Sequence, residues 1–372
     1  MKNYFLFVFF LLLPVFSSFS EERYFEITSA LGLAYNFEFE KAEEILLRYR
    51  TGHPDSVEAE LGIIVYDFLL INQNPSRENF NRIYDQLETL EERVTDYLKV
   101  YDDYIFRFYD CFINYYYMKS YALDGKWIRM AVHAARAREL AVTLKTKINE
   151  LPDLYFILGD QDYSTSLVPD YLSHFLRALK FSPDRYQGLS YIKEAVELGE
   201  FTRNEAALFC ISTSIYVEKE YDEALERSYE FLEEFPDNLS VGFYLVDLLL
   251  RLGEIEAAEE RFLLMEARVA SGALGRKWIP RAIQMRGNLN NAMGDYGRAI
   301  EFYLEALGHR ELSQYSVTEI TLEMGKLYDI MGDRSAAQSA YRDCMKSGGL
   351  ELMKDEAKLL RREAYEGGRG SY

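Results

Sequence analysis

Residues 221–238 read YDEALERSYEFLEEFPDN. Tyr221, Ala224, Leu225, Ser228, Leu232 and Phe235 recur at steps that place side chains on one face of an α-helix, and charged residues fill the other face. Pro236 ends the run, because proline has no amide to donate and restrains the residue before it. Asp237 and Asn238 then supply side chains suited to opening another helix. The spacing predicts an amphipathic helix over 221–235 with a second helix directly after it.

The pattern returns along the chain. LGEIEAAEERFLLM (252–265) sets Gly253, Ala258 and Phe262 where the first stretch has Lys219, Ala224 and Ser228. MGDYGRAIEFYLEAL (293–307) offers Gly294, Ala299 and Tyr303, and MGDRSAAQSAYRDCM (331–345) offers Gly332, Ala337 and Tyr341. The anchor alanines Ala224, Ala258, Ala299 and Ala337 are 34, 41 and 38 residues apart. Gly188 lies 36 residues before Ala224, and near the N-terminus FEFEKAEEILLRYRTGHPD repeats the theme around Ala42.

These segments resemble the tetratricopeptide repeat (TPR) family, over residues 203–347 and again over 24–54. The resemblance implies an all-α, right-handed superhelix of antiparallel helix hairpins, a TPR-like α-solenoid. Gly287 and Gly325 match the small residue of its first helix, and Tyr328 matches its aromatic. Small residues let the helices of a hairpin approach, while large aromatics fill the seam to the next hairpin. The family's early Trp is missing and the spacings are irregular. Residues 152–200 are similar to the middle of a group of bacterial TPR proteins.

Other segments mark the organisation. From Asp96 to Tyr121, Tyr97, Tyr101, Tyr104, Phe108, Phe112 and Tyr115 recur at helical steps and predict one continuous stripe. Such a stripe fills a core or lines a ligand groove. Tyr115, Tyr116 and Tyr117 cannot share one face, so an exposed or hydrogen-bonded phenol is expected there. Pro152, Gly159 and Pro169 predict a modified hairpin with a loop near 160–170. The expected divisions are a signal peptide at 1–20, a TPR-like hairpin and following helix at 21–72, and an irregular aromatic-rich segment at 73–168. TPR-like repeats with a C-terminal capping helix follow at 169–364, then a disordered tail at 365–372.

The first twenty residues carry Lys2, an apolar run from Tyr4 to Phe16, and small residues Ser18 and Ser20 before Glu21. That is the layout of a cleaved export signal, and it predicts a periplasmic or extracellular protein beginning near Glu21. No second long apolar run predicts a membrane span. The net charge of −19 becomes −20 once Lys2 is lost. Such a chain is repelled by nucleic acid and anionic lipid, so neither is an expected partner. Cys111, Cys210 and Cys344 are few and scattered, which predicts three buried thiols.

Catalytic patterns are missing. The four histidines, His53, His133, His174 and His309, are far apart, and there is no HExxH, CxxC, Walker loop, dinucleotide fingerprint or nucleophile elbow. No metal, cofactor or catalytic residue is assigned. Asn238-Leu239-Ser240 fits a glycosylation sequon, but its place at a helix start favours capping.

The TPR resemblance implies that first helices line an inner surface. Carried over by position, this surface takes Arg177 and Lys180, then Tyr216, then Asp247 and Arg251. It continues with Arg281, Gln284, Asn288 and Asn291, and ends on Lys326. Asn288 stands where family members place an amide on a bound peptide backbone. Amides and guanidinium groups pair with carbonyls and carboxylates. The expected function is a non-catalytic scaffold that binds a protein or peptide in the cell envelope. Two alternatives remain: an enzyme with a pocket formed by residues 96–170, and a subunit that self-associates through aromatic surface.

Overall fold

A computed structural model describes residues 13–168, 176, 181, 183–271, 276–349 and 351–367, with side chains from residue 24 onward. Among these residues the regular structure is entirely helical. The chain is an all-α, TPR-like α-solenoid built from helix hairpins. It divides into two compact units, Met1–Cys210 with Glu234–Asn238, and Ile211–Glu233 with Leu239–Tyr372.

The first unit holds α1 (Leu13–Tyr35), α2 (Phe39–Gly52), α3 (Val57–Gln73), α4 (Arg77–Leu98), α5 (Tyr104–Leu123), α6 (Trp127–Leu144), α7 (Asp153–Ser166) and α8 (Arg185–Leu198). The next helix, α9 (Arg203–Thr213), begins in it. α1 runs through Ser20 and Glu21, the expected cleavage point. No helix among the described residues is long and apolar enough to cross a membrane.

The stripe from Asp96 to Tyr121 is not one helix. α4 ends at Leu98 and α5 starts at Tyr104, because Asp103 caps α5 by accepting the Ile105 amide at 2.8 Å. Tyr97 stacks on Phe106 at 3.6 Å across the turn, so helical spacing in sequence was produced by two helices meeting at a corner. Tyr115, Tyr116 and Tyr117 are all buried. Tyr115 donates to Asp160 at 2.6 Å and Tyr116 to Glu205 at 2.9 Å, while Tyr117 stacks on His133 at 4.4 Å. These phenols form core, not the exposed aromatic surface that self-association required. α7 continues to Ser166, so the chain is helical through most of the expected loop. Leu167 and Val168 turn out of the helix, and residues 169–170 lie outside the described residues.

α7 and α8 meet backbone to backbone: a Cβ on Gly159 would stand 2.9 Å from the Gly188 carbonyl oxygen. Asp153, the first residue of α7, ties down the turn before α9. Its Oδ1 accepts the amides of Glu200, Phe201 and Thr202 at 3.1, 3.0 and 2.8 Å and the Thr202 hydroxyl at 2.7 Å.

The second unit takes the end of α9 and a π turn, Ser214–Glu218. It continues with α10 (Tyr221–Glu234), α11 (Leu239–Leu252), α12 (Ile255–Ala270), α13 (Trp278–Ala292), α14 (Tyr296–Leu307), α15 (Gln314–Ile330), α16 (Arg334–Lys346) and α17 (Glu351–Leu360). α11/α12, α13/α14 and α15/α16 are consecutive hairpins, and α17 packs on the last. Within two of them a glycine sits against a tyrosine ring. A Cβ on Gly287 would lie 2.6 Å from Tyr303, and one on Gly325 would lie 2.6 Å from Cδ1 of Tyr341.

One local device recurs in both units. Ala42, Ala224, Ala258, Ala299 and Ala337 are all fully buried. Five residues before each stands Phe37, Lys219, Gly253, Gly294 or Gly332, all with φ between 58° and 82°. The left-handed residue ends one helix and turns the chain so that alanine enters the seam one turn into the next. Glycine adopts this conformation freely, whereas lysine is strained there. Lys219→Gly should therefore stabilise the protein by about 0.5–1 kcal/mol in urea unfolding, the relief being partly offset by a freer unfolded chain. A lower urea midpoint would contradict the left-handed turn.

Cys111, Cys210 and Cys344 are buried, as their apolar settings predicted. Asn238 is also buried, donating from Nδ2 to the Tyr35 carbonyl at 2.7 Å, which is no place for a glycan.

Candidate binding pocket in the second unit

Residues that the sequence placed on an inner surface separate into three groups. Arg177 and Lys180 lie outside the described residues. Asp247, Asn288 and Lys326 occupy equivalent repeat positions and are buried, at 3%, 7% and 7% exposure. Tyr216 and Arg281 line one cavity, Arg251 and Gln284 join Arg281 in the charge network beside it, and Asn291 is half-buried at the end of α13.

The buried group is held by the chain itself. Tyr303 donates its hydroxyl to Asn288 Oδ1 at 2.8 Å inside the α13/α14 hairpin, so this amide faces the core and not a peptide. Lys326 Nζ pairs with Glu323 and Glu356, each at 2.9 Å, and lies 5.9 Å from the Tyr365 ring. The backbone amide of Tyr365 donates to Asp329 at 2.9 Å, which ties the residues after α17 across this position. Residues 368–372 lie outside the described residues. Polar side chains at this repeat position are buried because neighbouring helices close over them, and each is matched by a partner within the chain.

The third group forms a charge network. Arg251 Nε donates to Asp247 Oδ2 at 3.1 Å, and its Nη2 is 3.9 Å from Glu319. Arg281 Nη1 donates to Gln284 Oε1 at 2.9 Å and is 3.5 Å from Glu319 Oε2. Gln284 Nε2 completes the circuit by donating to that same oxygen at 2.6 Å. Two guanidinium groups thus balance two carboxylates. Burial first, and the Asp247 charge second, hold the Glu319 carboxyl above its usual range. The two arginines oppose that shift.

Beside the network lies a cavity of about 340 Å³ walled by Tyr216, Phe243, Tyr244, Trp278 and Tyr315. Phe243 stacks on Trp278 at 5.7 Å, and Tyr216 meets Tyr244 and Tyr315 edge-on at 5.8 and 5.9 Å. Arg281 and Lys277 bring positive charge to this wall, and burial pushes the Lys277 amine down to about 8. The hydroxyls of Tyr216 and Tyr315 are buried with no hydrogen-bond partner among the described residues. A cavity of this size, mostly aromatic with a few fixed polar groups, has the makeup of a ligand site.

Local structure explains which residues reach the cavity. The π turn at Ser214–Glu218 adds a residue to the end of α9, closed by the Glu220 amide on Ser214 at 2.9 Å, and sets the register of Tyr216. The residues that sequence reasoning missed are Tyr244, Lys277, Trp278, Tyr315 and Glu319. One signal was present for Glu319: the 38-residue step from Ala299 to Ala337 carries Arg281 onto it. Lys277 and Trp278 stand where α13 begins, a position that periodicity within helices does not mark. Among the described residues no group of His, Cys, Asp and Glu is arranged to hold a metal ion.

No protein-family model and no curated protein sequence matches the chain. Solved structures similar to it include a Rap protein complexed with competence and sporulation factor, at 15% identity and a TM-score of 0.35, over 93% of this chain and 88% of that one. The human IFIT1 dimer with m7Gppp-AAAA is 13% identical with a TM-score of 0.45, over 92% of this chain and 88% of that one. Yeast Tom70 is 13% identical with a TM-score of 0.32, over 90% of this chain and 87% of that one.

Proposed function

We propose that the chain is an exported, non-catalytic scaffold that binds a segment of a protein partner at the cavity of the second unit. The observation that carries this reading is the fixed state of Arg281. Gln284 and Glu319 hold its Nη1, and the side chain lines the cavity beside aromatic walls. A guanidinium held in place by its own chain binds without first losing side-chain freedom. Aromatic rings add apolar area, and an acceptor on the bound segment would satisfy the buried tyrosine hydroxyls. The reading therefore favours a segment with an apolar side chain next to an oxyanion or carbonyl.

The test is photocrosslinking in the native cell from a probe at Glu311, which lines the cavity and is exposed. A matched probe at Leu263, 55% exposed on α12, reports background capture. The proposal expects one protein captured from position 311 and not from 263. The same bands from both positions would sink it. Export rests on Lys2, the apolar run and Ser18/Ser20, and N-terminal sequencing of the native protein should begin near Glu21. A sequence starting at Met1 would refute that part alone.

A further inference from the structure

A larger cavity, about 720 Å³, lies in the first unit, and all its lining residues belong to that unit. Its walls come from the C-terminal half of α1, the turn at 199–204, and residues Glu234 and Phe235. The rings of Tyr24 and Phe201 meet edge-on at 5.8 Å, and Phe25 is 68% exposed. The same cavity is lined by three carboxylates, Glu38, Glu200 and Glu234, and one cation, Arg203.

The carboxylates differ in how they are matched. Glu38 accepts from Asn36 at 3.0 Å and pairs with Lys41. Glu200 and Glu234 have no ion pair among the described residues. The backbone of Glu200 is fixed by its amide on Asp153, which holds this side chain at the wall. Glu200 is exposed as a residue, and partial burial of its carboxyl, with the Asp153 charge second, pushes it up to about 7. Arg203 is exposed and does not hold it down. We infer that this cavity is a binding site for an organic cation of ammonium or guanidinium type, with Glu200 as its counter-charge and the rings of Tyr24, Phe25 and Phe201 as its walls. Aromatic faces and a carboxylate are the combination that replaces the hydration of such a cation. The net charge of −19 raises the local concentration of cations around the chain. The site is separate from the cavity of the second unit, so the two readings stand or fall independently.

Titration calorimetry on the full chain at low salt tests this, with acetylated, amidated tetra-arginine as one probe and spermidine as another. Preference for the first points to a basic polypeptide segment, and preference for the second to a free polyamine. Glu200→Gln should weaken the better probe about tenfold, the loss of one charge-assisted contact. Phe25→Ala, at an exposed ring, should weaken it several-fold. Glu230→Gln, which changes the net charge equally at an exposed site of the second unit, should change affinity less than about twofold, since screened surface charges act weakly. Affinity should also fall as pH drops from 8 to 6. Glu200, set against the Asp153 charge in a cavity also lined by Glu38, Glu234, Arg203, Tyr24 and Tyr35, takes up a proton in that range and ceases to be a counter-charge. Glu200→Gln should lose most of this pH dependence. Equal weakening by Glu200→Gln and Glu230→Gln, or no binding of either probe, would overturn the inference.

Discussion

Arg251→Ala should destabilise the second unit by about 3–5 kcal/mol at neutral pH, the cost of removing one partner from a buried ion network. Asp247 and Glu319 are 3% and 7% exposed, and Arg251 stands against both. Without it two buried carboxylates face Arg281 alone. The loss has a pH signature. Carboxyls left without a cation have folded pKa values raised above their unfolded ones. Their penalty is therefore present at neutral pH and fades as pH falls and they protonate. Urea unfolding at pH 7.5 and pH 5 should show a smaller difference from the wild type at the lower pH. The double variant Arg251→Ala/Asp247→Asn should recover part of the stability, because it removes one stranded charge. A difference under about 0.5 kcal/mol at both pH values, typical of an exposed surface site, would mean that the network is solvated and the charges act separately.

The second large effect concerns Asp153. One of its oxygens accepts three backbone amides and the Thr202 hydroxyl, and the residue is 2% exposed. Asp153→Ala leaves buried donors at the start of α9 without an acceptor and should cost roughly 2–4 kcal/mol. Asp153→Asn keeps an acceptor oxygen and should cost about half as much. Because these bonds fix the turn carrying Glu200, hydrogen exchange at residues 199–204 should rise in Asp153→Ala before global unfolding. Unchanged exchange there would show that α9 holds the turn without Asp153.

Much of the fold was legible because it depends on local rules. Alanine at a seam and a left-handed residue five positions earlier are both written in sequence, and even Lys219 takes the conformation that its alignment with Gly253 implied. The corner at 99–103 was hidden for the opposite reason. Tyr97 and Phe106 approach across a turn, so helical spacing continued where the helix did not. Tyr115, Tyr116 and Tyr117 cannot share one helix face, which left an exposed or a hydrogen-bonded phenol open, and the second holds. α5 is covered on several sides, and the hydroxyls of Tyr115 and Tyr116 find Asp160 and Glu205 far away in sequence.

The candidate site was legible in part. Counting repeats found Arg251, Arg281 and Gln284, which meet in space. It also brought in Asn288 and Lys326, since family position says which helix face a residue occupies and not how closely the next helix covers it. Tyr303 takes up Asn288, and Glu356 with Tyr365 takes up Lys326. Of the aromatic walls, repeat position found Tyr216, while Trp278 and Tyr315 come from helix starts, which periodicity does not mark.

On the proposed function, the partner binds in the cavity beside Arg281. Ser240 lines that cavity and is half-buried, so Ser240→Trp fills the space without touching the charge network. The most direct measurement is the affinity of the segment captured from position 311 for the wild type and for Ser240→Trp, with melting curves recorded on both. The expected result is a loss of more than about tenfold, the scale of one displaced anchor, with an unchanged melting curve. Equal affinity with the cavity filled would contradict it and place the partner elsewhere on the chain.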